Sequence, residues 1–387
     1  MTPLLILLLA AVVEVYIHGR RYTVTHPKEE LDEPFYTSCQ EPQVNAPREN
    51  AALVMLARNS ELAMALQTVQ SIEKHFNQWF HYPIVFLNDE PWSEEFMYAM
   101  NATVSGQTRF EVLPKDAWTF PSWMDPTEAR ASMARQGKEG IIYAGLETYH
   151  HMCRFYSGKF YTLKALEQYE WYWRIEPDVD FHCSLTYDPF VEMAKHKKVY
   201  GYTIALAEEP ATCPNLFRQI SDWKEKNKIP DTELWRATVT ASWVPWPFRS
   251  MMSWFGQRDR NGDKWSLCHY WSNFEIASLD FFRGKEYQDL YETLEKAGGF
   301  YYERVSFSLS LSPLPDSSQS LYIDTHIYMC VYLYVNHCPL AAMPPWRELY
   351  GCENPFTKRT WCSLVGRRGC SRTRHRNACP TRAGASL

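Results

Sequence analysis

Apolar and polar positions divide the chain into stretches of different period. Residues Met1 to Ile17 form an apolar run interrupted only by Glu14. A membrane-crossing helix needs about 20 apolar residues, so this run is short for one and equally suits the apolar part of a signal peptide. Either reading sends the chain into the secretory pathway. Residues 18 to 49 are polar, contain proline and show no period, as a stem does. From residue 50 the pattern changes. Ala51-Ala-Leu-Val-Met-Leu-Ala57 is continuously apolar, as in a strand buried on both faces, and Leu62, Leu66, Val69, Ile72 and Phe76 then recur at helical spacing. Pro83 to Asp89 predicts a second strand and Ser93 to Met100 a second helix. Repeated strand–helix units predict an α/β fold whose sheet holds a nucleotide at the carboxyl ends of its parallel strands.

Farther on, Leu163 to Tyr169 predicts a helix, Trp171 to Ile175 a buried strand, and Glu176-Pro-Asp-Val-Asp180 its acidic exit, where Pro177 stops the strand. Carboxylates leaving a buried strand together suit a hard divalent cation, with phosphate and water completing the shell. An ordinary acidic turn has the same pattern.

Composition adds three points. The 15 Trp, 24 Tyr and 20 Phe suit either a sugar-facing cleft or an aromatic core. A net charge of −5 gives no sign of a nucleic-acid partner. Eleven cysteines fit an oxidising compartment but form no CxxC pair and no zinc pattern. Asn101-Ala-Thr103 is a glycosylation sequon, in keeping with lumenal exposure. No Lys or Arg precedes the apolar run, whereas Arg20 and Arg21 follow it, opposite to the preference of a type II anchor.

Three stretches carry a family resemblance: Tyr149-His-His-Met-Cys-Arg-Phe-Tyr-Ser-Gly158, Tyr172-Trp-Arg-Ile-Glu-Pro-Asp-Val179 and Cys268-His-Tyr-Trp-Ser-Asn-Phe-Glu-Ile-Ala277. Together with Leu53 to Asn59 and Gly298-Gly-Phe-Tyr-Tyr-Glu-Arg304, they resemble, in order, the fungal α-1,2-mannosyltransferases of glycosyltransferase family 15 over residues 50 to 304. The resemblance implies a GT-A-like mixed sheet flanked by helices, type II Golgi membrane topology with a lumenal catalytic domain, and Mn²⁺. It also implies retaining transfer of mannose from GDP-mannose to a mannosylated glycoprotein acceptor in N- and O-linked glycan synthesis.

By position, Glu176 resembles the metal-ligating carboxylate, Arg58 a nucleotide contact, Tyr149 the acceptor-side tyrosine and Glu275 the proposed nucleophile. A retaining transfer uses such a carboxylate either to form a glycosyl-enzyme or to stabilise an oxocarbenium-like transition state. Structural alternatives are a solvated strand-end cation for Arg58, a packing role for Tyr149 and an ion pair of Glu275 with Arg283. His150 and His151 are not read as metal ligands, because neighbours on a strand point to opposite faces.

The resemblance breaks at Val305-Ser306. The family continues Trp-Gly-Asp, and an aspartate expected near Ser306 and a metal-binding histidine expected near Tyr332 are both missing. Residues 305 to 387 are read as a divergent tail: either a genuine one, a β-hairpin followed by a basic patch for an anionic surface, or, the preferred reading, the product of an unspliced intron or shifted frame beginning at Val305-Ser306. Two other functions follow from the same residues: an inactive relative that binds GDP or glycan, and a secreted glycoside hydrolase using Glu176 and Glu275 as paired carboxylates.

Overall fold

The computed structural model describes residues 2–24, 41–181, 184–203, 205–271, 274–305 and 321–323. Its strands, in chain order, are β1 (Ala51–Leu56), β2 (Ile84–Asn88), β3 (Thr108–Val112), β4 (Trp171–Ile175), β5 (Tyr200–Tyr202), β6 (Ala205–Ala207), β7 (Val239–Thr240), β8 (Lys264–Trp265), β9 (Cys268–Tyr270), β10 (Phe274–Ser278) and β11 (Leu321–Ile323). Seven form the main sheet in the order β11-β5-β10-β4-β1-β2-β3, and β6 with β9 and β7 with β8 make two small antiparallel pairs. β1 runs parallel to β2 and β4, and β2 to β3, whereas β10 is antiparallel to both β4 and β5.

The buried apolar runs fall where their pattern predicts. β1, β2 and β4 are buried along almost their whole length, because helices cover both faces of the sheet. Leu53, Met55, Ile84, Phe86, Trp173 and Ile276 alternate onto one face and pack on Ala65, Val69 and Ile72 of the helix Leu62–Ile72 and on Phe96 and Met100 of the helix Glu94–Thr103. Ser93 caps that second helix by accepting the Phe96 N–H. Ala52, Val54, Tyr172, Tyr200 and Ala277 turn to the other face, against Phe155 and Tyr156 of the helix Glu147–Ser157 and Leu290 and Leu294 of the helix Lys285–Ala297. Gly158 ends the first of these two helices, and a Cβ there would lie 2.5 Å from the Tyr291 ring. Only glycine lets the two helices approach at that point.

Two sequence expectations need correction. The predicted helix Leu163 to Tyr169 is a single 3-10 turn, Lys164–Leu166, because the segment is spent on reaching the start of β4. His150 and His151 lie on a helix, not a strand. His150 presents its two ring nitrogens to the carbonyls of Phe300 (2.6 Å) and Ala144 (2.8 Å), and His151 Nδ1 lies 2.8 Å from the Tyr301 hydroxyl. Both therefore fasten the Gly298–Arg304 segment to the helix Glu147–Ser157.

Candidate active site

Strand order reverses between β1 and β4: β2 and β3 extend from one side of β1, and β4, β10 and β5 from the other. At such a switch point the connections diverge to opposite faces and leave a crevice at the carboxyl ends of the strands. Arg58 follows β1 and Glu176 follows β4, so the two flank this crevice. Because β10 runs backwards, its first residues lie at the same edge, with Phe274 beside Ile175 and Glu275 beside Arg174. The fold thus brings Arg58, Glu176 and Glu275 to one end of the sheet.

The sequence Tyr172-Trp-Arg-Ile-Glu176 explains the chemistry of this edge. Alternation sends Trp173 and Ile175 into one core and leaves Tyr172 and Arg174 on the other face. Arg174 is 5% exposed. Its Nε donates to Glu176 Oε1 at 2.5 Å, and its guanidinium lies 3.4 Å from the centroid of the Tyr156 ring. A desolvated contact of that kind is worth about 2 kcal/mol. Burial works against the charge on Arg174, but Glu176, Tyr156 and Glu275 outweigh it and raise the pKa.

Glu275 is 4% exposed, and each carboxylate oxygen accepts a phenol O–H: Oε1 from Tyr172 and Oε2 from Tyr200, both at 2.9 Å. Burial raises its pKa, opposed by the nearby Arg174 charge and the two tyrosines. The alternative pairing with Arg283 does not occur. Arg283 instead donates to the carbonyls of Tyr161, Leu166 and Tyr169.

Tyr149 lies two turns before Tyr156 on the same helix. Its hydroxyl accepts from Arg304 Nη1 at 2.9 Å, and its ring stacks on Tyr143 with centroids 5.2 Å apart. Burial pushes the phenol up to about 12. Arg304 Nη2 in turn donates to Glu208 at 3.1 Å. His269 stands close enough for both charges to act on it, and burial lowers its pKa. The Nε of Arg304 and the Nδ1 of His269 are buried without a hydrogen-bond partner among the described residues. Of the two, Arg304 stands beside Tyr149.

The acidic exit of β4 behaves differently from its sequence. Asp178 takes a left-handed conformation with φ 69°, and Asp180 accepts from Gln67 Nε2 at 3.0 and 3.1 Å. Val179 N–H bonds Thr68 and Phe181 N–H bonds Ser71, so the chain is laid along the helix Leu62–Ile72 and carries Asp180 away. Three carboxylates therefore do not converge. Among the described residues no group of three or more His, Cys, Asp or Glu is placed to hold a metal. Glu176 still fits as one oxygen ligand: Arg174 engages Oε1, and Oε2 makes no hydrogen bond among the described residues. The positions near Ser306 and Tyr332 lie outside the described residues.

Sequence reasoning missed Arg174, Arg304, Glu208 and the phenols of Tyr172 and Tyr200. Arg174 was within reach, since an arginine two residues before a strand-end carboxylate shares its face. A cavity of about 320 Å³, lined by Leu87, Glu111, Leu113, Asp116, Lys159 and Lys164, opens beside the ends of β2 and β3.

Comparisons with known proteins bear on the family and the fold. The family model described as glycolipid 2-alpha-mannosyltransferase matches residues 13–353, reaching beyond the 50 to 304 stretch at both ends. The alpha-1,2 mannosyltransferase KTR1 of Saccharomyces cerevisiae is 37% identical over 373 residues, covering 92% of this chain and 89% of that protein. The O-glycoside alpha-1,2-mannosyltransferase homolog 4 of Schizosaccharomyces pombe is 38% identical over 330 residues, 78% of this chain and 75% of its own. Among solved structures, the Mn/GDP form of core-mannan synthase A (CmsA/Ktr4) from Aspergillus fumigatus superposes with a TM-score of 0.63 at 30% identity, covering 88% of this chain and 92% of that one. Ktr4p of Saccharomyces cerevisiae in complex with GDP gives 0.64 at 30% identity, over 79% and 77% of the two chains. The chain belongs to the glycolipid 2-alpha-mannosyltransferase family, glycosyltransferase family 15.

Proposed function

We propose that this protein is a retaining α-1,2-mannosyltransferase that moves mannose from GDP-mannose to a mannosylated glycoprotein acceptor. It acts in the Golgi lumen and is anchored by the helix Thr2–Arg20 as a type II membrane protein. The observation that carries this reading is the meeting of Arg58, Glu176 and Glu275 at the carboxyl end of the parallel strands, with the Glu176 carboxylate held by the buried Arg174.

Glu176 is the residue that would hold Mn²⁺, with phosphate and water completing its shell. A metal bound there neutralises charge on the departing pyrophosphate. Arg58, exposed at the end of β1, offers a planar fork of donors to phosphate or base. Arg174 holds the Glu176 carboxylate in place. Glu275, with each oxygen already engaged by a phenol, serves through its charge, stabilising the positive charge that develops at the anomeric carbon. Tyr149 and Arg304 bind the acceptor.

The test is turnover by the full chain, with GDP release and mannosylated product followed for GDP-mannose and a mannose disaccharide, with and without Mn²⁺. Transfer that needs both supports the reading. GDP binding without transfer would favour an inactive relative, and indifference to GDP would favour a hydrolase. We also propose that the sequence from Val305 on reflects an unspliced intron or shifted frame. Apart from residues 321–323, where β11 adds to the sheet beside β5, the tail beyond Val305 lies outside the described residues. Sequencing the transcript across the Glu303 to Val305 codons tests this, and a mature message that encodes Val305-Ser306 as given would refute it.

A further inference from the structure

Six large apolar side chains stand exposed within thirteen positions: Trp243, Trp246, Phe248, Met251, Trp254 and Phe255. Trp254 is 84% exposed and Trp243 76%. An apolar cluster of this size on a soluble face calls for a covering partner. None of these side chains belongs to the site described above.

The position of the cluster identifies its partner. The helix Thr2–Arg20 has none of its apolar window buried in the protein, and the catalytic domain grips only its last turns. Arg249, within the cluster, donates to both oxygens of Glu14 at 2.8 Å, and the Trp246 N–H reaches the same carboxylate at 3.2 Å. Below that pair, His18 meets Asp263 at 2.6 Å, the Tyr22 hydroxyl donates to Asp263 at 2.8 Å, and Arg21 Nε donates to Asp231 at 3.0 Å. Glu14 is the one acidic residue of the helix, and a carboxylate in an apolar helix needs such a partner. The Arg249 contact therefore ties the aromatic cluster to the apolar helix, and tryptophan is enriched where a protein meets the headgroup level of a bilayer.

Resting on the reading of Thr2–Arg20 as a membrane anchor, we propose that residues 243–255 are a membrane-interface surface, through which the catalytic domain lies against the lipid bilayer its own anchor enters. The partner is lipid. Trp243, Trp246, Phe248, Trp254 and Phe255 insert their rings at the interface, and the Arg249–Glu14 pair ties them to the anchor.

The test uses the full chain in phosphatidylcholine vesicles, with an environment-sensitive fluorescent amino acid replacing Trp254, Leu8 or Tyr98 in separate preparations. Trp254, Leu8 and Tyr98 are all exposed, so the substitutions leave packing intact. Lipids brominated on their acyl chains then report contact. The probe at 254 is expected to lose most of its fluorescence, and the probe at 98, on the helix Glu94–Thr103, to lose none. An unquenched probe at 254 overturns the proposal, whether it reports water or the dry surroundings of a protein partner or second copy. The probe at position 8 judges the anchor separately: if it is quenched while 254 is not, the anchor stands and the docking surface falls.

Discussion

Arg174 on β4 and Glu275 on β10 stand directly opposite each other across an antiparallel pair, and both side chains are buried. Glu176 holds the guanidinium from its strand-end side, while Tyr172 and Tyr200 hold the carboxylate of Glu275. The guanidinium thus pairs with Glu176 and acts on Glu275 through its charge. This arrangement yields the first two predictions.

Glu275→Gln keeps the size of the side chain and an acceptor for a tyrosine hydroxyl but removes the charge. Transfer is expected to fall by about 10²-fold or more, with the GDP dissociation constant unchanged. Steady-state rates together with GDP titration check this, and a variant with undiminished kcat would remove Glu275 from the chemistry.

Glu176→Gln should abolish the Mn²⁺ dependence of GDP binding, measured by calorimetry with and without metal. Glu176→Ala adds a structural penalty. It leaves the buried guanidinium of Arg174 without its partner, and losing one member of such a pair costs about 3–5 kcal/mol. Thermal unfolding should separate the two variants, and equal melting temperatures would mean that Arg174 finds another partner.

Tyr149→Phe deletes the acceptor of the Arg304 hydrogen bond on the proposed acceptor side. The KM for the mannosyl acceptor should rise about tenfold, the scale of one hydrogen bond to a charged group, while GDP affinity stays constant. A change confined to GDP would place Tyr149 on the donor side instead.

Asp259 gives a pH signature. Burial, and then the neighbouring Asp263, raise its carboxyl from 3.8 to about 6. The folded state therefore keeps this proton in a range where the unfolded chain has lost it. The stabilisation is complete below pH 3.8 and is lost as pH rises through about 6. Asp259→Asn still accepts the Asp263 N–H but does not titrate. Its stability relative to the natural chain should climb by about 3 kcal/mol between the two ends of that window. Parallel pH profiles of the two melting temperatures would rule the effect out.

The sequence alone determined the elements whose signals are local. The apolar run of β1, the helical spacing of Leu62 to Phe76 and the Pro177 stop each depend on residues within a turn or a pleat of one another, so spacing suffices to read them. It also placed Arg58 and Glu176 at strand ends, where a parallel sheet binds ligands. Family resemblance, not spacing, singled out Tyr149 and Glu275.

Only the tertiary structure decided which of these groups meet. Tyr172 and Glu275 are 103 positions apart, and Tyr149 and Arg304 are 155 apart. Their contacts depend on strand register and helix docking, which leave no periodic trace in the chain. The acidic exit shows the converse: Glu176 and Asp180 are near in sequence, yet hydrogen bonds to Gln67, Thr68 and Ser71 draw the chain along a helix and separate them. Local spacing limits what a segment can form, and packing against distant segments decides which side chains share a site.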